Sequence, residues 1–484
     1  MSAVFVPAVV RGRVHEADPV EFPAGFRGPD PVGLLPVLPL RDPVALSDLQ
    51  SEPFAEIVDL LAELGERLVL SRNGFLQEAL SVLPEFSDLT ADVLRSTYRQ
   101  LPGLFAPEAV WALAERAIGA EFLDGWVSSG GAAVRAFGAR AVHVIAGNNP
   151  IIAGITVVRS AVTRGDAIIK APANDPVTAP AILRTLVELA PEHPLTRHLS
   201  VLYWKGGDTG FERGLYHPAQ VEKVVAWGGF GSVQHVTQYL RPGLELIALD
   251  PKLSATVIGP EAFASEAALR ETARLAAADV GVLNQEGCFN ARVIYAATGT
   301  DEAGLATALR WGALLHEEVQ RLPAALSTPA RRFDPELREN LRGLSAAPDW
   351  YRVVGGRDGE GAVVVSLSAE PVDFRDALSG RVANVVPIDD PAEAVRAMNS
   401  YTQTVGVYPD SLKRALRDTA PLYGVQRLVS LGYATHFRPE VPQDGMEPTR
   451  RMIKWITDES YDPASTHPFA HMAPDAPVWA GEVR

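Results

Sequence analysis

One cysteine stands among 484 residues, and its neighbours are polar. Cys288 lies in LNQEGCFNARVIYA, residues 283–296, with Asn284, Gln285, Glu286 and Asn290 around it. A single thiol excludes an intrachain disulfide and a cysteine-built metal cluster, leaving a small core residue or a nucleophile. A core cysteine packs among apolar side chains. Here a Gly-containing turn presents the sulfur just ahead of the strand-like run ARVIYA, 291–296. A turn also frees backbone N–H groups to face an oxyanion, so the surroundings favour nucleophilic catalysis by sulfur.

Two further segments bear on that chemistry. In 146–183, AGNNPIIAGITVVRSAVTRGDAIIKAPANDPVTAPAIL, Asn148 precedes Pro150 and a helical stretch, and a strand-like run ends on Lys170. Taken alone, Asn148 reads as a helix cap and Lys170 as a solvent-facing strand end. In VVAWGGFGSV, 224–233, Gly228, Gly229 and Gly231 sit where a strand turns into a helix. Such a turn lets backbone approach a phosphate at the helix N-terminus, or is merely tight. His467 and His471 have the spacing of helical metal ligands, but Pro468 between them makes them surface histidines, and no metal is expected. His436 reads as a structural histidine, and Glu286 as a solvated loop carboxylate.

The elements that must hold these residues follow from periodicity. Residues 1–45 are Pro-rich and read as an extended arm. From Phe54 apolar residues recur at helical spacing (Ile57, Val58, Leu61, Leu64), with more helical patterns at 75–83, 90–98 and 107–119. After about 138, strand-like runs at 141–147, 167–171, 199–204, 223–227 and 244–250 alternate with helical patterns. That rhythm predicts an α/β fold with a parallel, Rossmann-type sheet covered by helices. A second alternating stretch carries runs at 291–296, 362–367, 383–388 and 405–409, while 326–360 breaks the rhythm. The expected division is 1–130, a Pro-rich arm and helical region; 131–280, a cofactor domain; 281–432, a catalytic domain; and 433–484, a C-terminal arm.

Composition sets the outer limits. Hydrophobic residues make up 47% and charged residues 21%, as in a soluble globular protein. The formal net charge of −15 disfavours nucleic acid or an anionic membrane as the main partner. The longest apolar stretch, 141–158, holds His143, Asn148, Asn149 and Pro150, which a bilayer would penalise, and the N-terminus lacks a signal-peptide pattern. A cytoplasmic location is expected.

Against that frame of residues, NQ-x-x-C before a strand resembles the nucleophile loop of the aldehyde dehydrogenase superfamily. The resemblance implies that Asn148 donates its amide to a thiohemiacetal oxyanion, that Lys170 binds the adenosine ribose, and that the Gly228, Gly229 and Gly231 turn lies over the cofactor phosphates. Val233 stands where that superfamily has its second glycine. Ala173 replaces the ribose-binding Glu of NAD-preferring members, which implies NADPH, with NADH as the alternative; Lys205 could add positive charge. Ala248 stands where hydrolytic members carry a water-activating Glu, and Ala377 or a neighbour such as Asp376 where they carry a nicotinamide-ribose Glu. Without that base, the acyl group on sulfur should leave by thiol exchange or reduction.

HVIAGNNP (143–150), IIKAPANDPVTA (168–179), NQEGC (284–288), YTQTVGVYP (401–409) and DGMEPTRRMIKWI (444–456) resemble more closely the acyl-CoA reductases typified by the fatty-acid reductase of bacterial luminescence (LuxC-like). That likeness spans most of 50–460 and implies an acyl thioester substrate, on coenzyme A or acyl carrier protein, reduced to an aldehyde. The superfamily implies a homodimer or homotetramer. An aldehyde dehydrogenase working oxidatively and a non-catalytic scaffold of the same fold are the alternatives.

Overall fold

The computed structural model describes residues 3–129, 131–357, 359–461 and 472. His467 and His471 lie outside them. The helical region forms much as its periodicity dictates: Phe54–Arg67, Gly74–Val82, Ala91–Tyr98 and Pro107–Ala117 are helices with one buried face.

The first large sheet has seven strands in the spatial order Glu245–Leu249, Lys223–Trp227, Arg140–Val144, Asp166–Lys170, Leu199–Leu202, Ala8–Val10, Arg13–His15. The five strands from 140 onward are mutually parallel. Their connectivity reverses beside Arg140–Val144, the kind of switch point where α/β sheets hold nucleotides. Ala8–Val10 adds antiparallel to Leu199–Leu202, so the Pro-rich arm is a sheet edge and not only a surface wrap. Helix Ile151–Thr163 is buried on every side save at Ile151, sandwiched between this sheet and the N-terminal helices.

The second sheet runs Tyr351–Gly355, Ala362–Ser366, Val382–Pro387, Ala291–Ala296, Leu253–Ile258, Thr402–Tyr408, Arg427–Ser430, all parallel except Tyr351–Gly355. The expected division at 280/281 therefore shifts. Leu253–Ile258 is an inner strand of the second sheet, between Ala291–Ala296 and Thr402–Tyr408, and the polypeptide leaves the first sheet after Leu249. The rhythm hid this crossing because Leu253–Ile258 follows Glu245–Leu249 with no helix between them. The stretch 326–360, which breaks the rhythm, supplies helix Pro335–Ser345 and the antiparallel edge strand. A three-stranded sheet outside both layers joins Ile453–Glu459 from the C-terminal segment to Ala132–Gly138 and Val127–Ser129.

Candidate active site

The C-terminal ends of the first sheet's strands face the N-terminal ends of the second sheet's. From the first come the loop holding Asn148, the strand end Lys170 and the turn at Gly228; from the second come Cys288, Arg292, Gln403 and Arg427.

Cys288 is held by a strained loop. Leu283, Asn284 and Gln285 have φ of 56°, 53° and 68°, a left-handed run that costs about 1–2 kcal/mol per residue for side chains with a Cβ. Hydrogen bonds over-determine it. Gln285 donates to the carbonyls of Ala291 (2.9 Å) and Val382 (2.8 Å), and its own oxygen accepts from Val382 N (2.8 Å). Asn284 Oδ1 accepts from Thr328 N, and Asn290 Nδ2 donates to the carbonyls of Asp279 and Val282. Three of the four polar neighbours that single out Cys288 in the sequence are thus buried framework.

Two cavities meet at the sulfur, and Asn148, Trp227 and Cys288 line both. One, of about 500 Å³, is walled largely by apolar side chains such as Leu104, Ile152, Ile155, Phe289 and Val441. The other, of about 530 Å³, lies over the switch point of the first sheet and is lined by Lys170, Ala173, Gly228, Gly229, Ser232 and Arg292.

Asn148 is not the helix cap. Asn149 Oδ1 takes the Ile151 N–H (3.0 Å), while Asn148 Nδ2 reaches the Glu286 carbonyl (2.7 Å) in the nucleophile loop. An amide nitrogen carries two donors, so one N–H stays available in the cavity junction that Asn148 and Cys288 both line. Lys170 is not solvent-facing either: its ammonium lies 5.7 Å and 5.5 Å from the ring centres of Tyr203 and Trp204, and burial lowers its pKa. Gly228 and Gly229 line the second cavity; Gly231 and Lys205 are exposed and do not. The turn after Leu199–Leu202 directs Tyr203 and Gly206 inward and Lys205 outward.

Enclosure by protein pushes the Cys288 thiol up to about 11; Asp444 adds to the rise, while the Gln403 hydrogen bond and Arg292 oppose it. Glu286 is not a solvated loop carboxylate, since burial raises its pKa, with Asp88 adding and Arg292 opposing. Ala248 packs among the first sheet's apolar side chains and lines neither cavity. Asp376 and Ala377 sit in an unburied turn. His436 lines the apolar cavity, and its carbonyl accepts from Arg427. Among the described residues no group of His, Cys, Asp and Glu is arranged to hold a metal.

Sequence reasoning missed three groups. Arg292 donates Nε–H to the Leu378 carbonyl (2.9 Å), and its buried Nη1 has no hydrogen-bond partner among the described residues. Its place four residues after Cys288 was the available signal. Gln403 and Asp444 are brought to the sulfur by the fold alone.

This architecture recurs in solved structures. The NADP-dependent glyceraldehyde-3-phosphate dehydrogenase of Bacillus halodurans, solved with NADP, superposes with a TM-score of 0.69 at 14% identity, covering 94% of this chain and 98% of that one. Aldehyde dehydrogenase 21 of Physcomitrella patens gives 0.71 at 12% identity, covering 95% and 98%. The fold is that of the aldehyde dehydrogenases. A family model described as acyl-CoA reductase (LuxC) matches residues 49–455, and the chain belongs to that family. The long-chain acyl-protein thioester reductase of Vibrio harveyi is 27% identical over 361 residues, 74% of this chain and 72% of that protein. That of Aliivibrio fischeri is 26% identical over 365 residues, 75% and 71%. The protein is an enzyme that reduces an acyl thioester to an aldehyde with a nicotinamide cofactor.

Proposed function

We propose that Cys288 takes the acyl group from its thioester donor and holds it for reduction, with NADPH as the preferred reductant and NADH as the alternative. The observation that carries this reading is the sulfur's position where a largely apolar cavity meets a polar one over the switch point of the first sheet.

The polar cavity suits a dinucleotide. It offers the Lys170 ammonium, a glycine turn at the start of helix Phe230–Thr237, and the unpartnered guanidinium nitrogen of Arg292. Ala173 leaves no carboxylate to repel a 2′-phosphate. A bound nicotinamide cofactor supplies a hydride to the acyl carbon. The chain's own groups do the rest. The Cys288 thiolate attacks the thioester carbon, and the remaining Asn148 N–H with the Cys288 backbone N–H receives the oxyanion. The first thiol departs with a proton. After reduction the tetrahedral adduct collapses, returning thiolate and aldehyde.

The apolar cavity favours a long apolar chain. The names of the relatives favour a protein-bound acyl donor, such as acyl carrier protein, over free coenzyme A. No helix among the described residues is long and apolar enough to cross a membrane. A catalytic thiol without a second cysteine is best kept in the reducing cytoplasm. We assign self-association, as a homodimer or homotetramer, to the outlying three-stranded sheet.

The oxidative direction keeps one supporting observation: Glu286 and Asp444 are half-buried carboxylates lining the cavities that meet at the thiol, so a base to activate water is not wholly lacking. Intact-mass measurement after incubation with a long-chain acyl-CoA tests the first reading. An acyl adduct on the native chain, absent from Cys288→Ala, is expected. An undiminished adduct on Cys288→Ala would refute it.

A further inference from the structure

The sulfur has a hydrogen-bond partner that the nucleophile loop does not provide. Gln403 begins to enter the second sheet in strand Thr402–Tyr408, and its Nε2 lies 3.1 Å from Cys288 Sγ and 2.5 Å from Asp444 Oδ1. A carboxylate only accepts, so the atom facing Asp444 is the amide NH₂ and not its oxygen. The two N–H bonds are therefore divided, one to the sulfur and one to the carboxylate.

Asp444 is itself fixed. Gln443 and Met446 exchange backbone hydrogen bonds of 2.8 Å and 3.0 Å around it, closing a tight loop. Gln443 Oε1 accepts from the fully buried guanidinium of Arg159 (2.9 Å), and Arg159 lies 5.8 Å from the ring centre of Trp227. Helix Ile151–Thr163, which starts just after Asn148, thereby anchors the loop that aims Gln403 at the thiol.

We propose that Gln403 is a catalytic residue, the donor that holds the Cys288 sulfur in its charged form, and that Asp444 is the positioning residue that dictates which way the amide faces. An N–H on sulfur stabilises thiolate over thiol. It does so twice in the cycle. During attack, the sulfur–carbon bond forms as the bond to the departing thiol breaks, and that thiol takes up the proton Cys288 gave up. During collapse of the reduced adduct, the same sulfur leaves as thiolate. The Asp444 charge works the other way, through space, and raises the cost of the thiolate. The two residues thus act with opposite sign on thiol ionisation and with the same sign on turnover.

The other charges facing the sulfur are Arg292 from its own segment and Arg427 from strand Arg427–Ser430. Glu286 and His436 line the adjoining cavities, and Asp444 in turn faces Lys252, Arg159 and Asp250. None of these is removed in the test below, so their contributions stay constant.

The inference rests on Cys288 being the nucleophile, and the chain offers a clean probe: with one cysteine, iodoacetamide alkylation reports that sulfur alone. The rate is measured from pH 6 to 10 on native enzyme, Gln403→Leu, Gln403→Met and Asp444→Asn, with kcat and KM for a long-chain acyl-CoA in parallel. Loss of a hydrogen bond to the thiolate should shift the profile of both Gln403 variants to higher pH, slowing alkylation about tenfold at pH 8. Asp444→Asn should shift it to lower pH and speed alkylation. All three should lower kcat more than they raise KM. A profile unmoved by either Gln403 substitution, or an unchanged kcat in Asp444→Asn, overturns the proposal. Full activity in the alkylated native enzyme would instead sink the nucleophile assignment, whatever the variants do.

Discussion

Asn148 shows how one side chain is freed to face a site. Its neighbour Asn149 takes the Ile151 N–H at the start of the helix, which releases Asn148 to bridge to the Glu286 carbonyl and leave one N–H in the cavity junction that Cys288 also lines. Asn148→Ala should lower kcat by about 10²–10³, the usual worth of one oxyanion donor, with KM nearly unchanged. Steady-state kinetics on an acyl-CoA would show this, and an effect confined to KM would speak against the role. At this scale the sequence was legible where chemistry and spacing coincide. Cys288, Asn148, Lys170 and Gly228 are all at the junction of the cavities or in the polar one. Lys205 was misjudged because a turn decides which of its residues face inward, and composition does not reveal that. Gln403 was invisible because 115 residues separate it from Cys288.

The nucleophile loop is the element on which the site depends. Three consecutive left-handed residues hold only because buried amides close around them. Gln285 satisfies three backbone groups. Gln285→Leu removes the amide donor from the Ala291 and Val382 carbonyls, while Val382 N keeps the Ser379 carbonyl (3.2 Å), and this should cost about 1–3 kcal/mol for each carbonyl before relaxation. Urea denaturation should record a loss at least that large, together with a fall in acylation rate. Unchanged stability would mean that the loop does not need this anchor. Nine of the fourteen strands in the two large sheets were readable from their apolar runs. Two of the strands that were not readable show why. Leu253–Ile258 mixes Ser and Thr with apolar residues and follows another strand directly, so neither alternation nor a helix announces it. Ile453–Glu459 ends in four exposed residues, because it pairs in an outlying sheet and not in a core.

Across the whole molecule, the N-terminal arm is tied to the cofactor-binding sheet by a buried charge cluster. Arg11 binds both oxygens of Asp166, and His198 bridges Asp166 and Asp48 at 2.9 Å each. Burial alone would raise the Asp166 carboxyl, but hydrogen bonds from His198 and Arg11 hold it below its ordinary value. A carboxylate lowered on folding contributes stability above its unfolded pKa and loses it as pH falls through the folded value. Arg11→Ala should therefore destabilise the protein by about 1–3 kcal/mol at neutral pH, the worth of the charged hydrogen bonds lost while His198 still partners Asp166. The deficit should shrink as Asp166 is protonated below pH 4, and thermal melts across that range would follow it. A deficit independent of pH would point to lost packing instead. The sequence marked this arm as extended, but the cluster that fastens it joins residues from Arg11 to His198 and had no local signature.

Acyl transfer to Cys288 followed by reduction is the central step of the proposed reaction. The most direct test is a single turnover. Enzyme acylated on Cys288 with a radiolabelled fatty acyl group is freed of excess donor, divided, and given either NADPH or buffer. Stoichiometric labelled aldehyde with NADPH, and slow or no release in buffer, is the predicted result. Release as free fatty acid at the same rate with and without NADPH would contradict it.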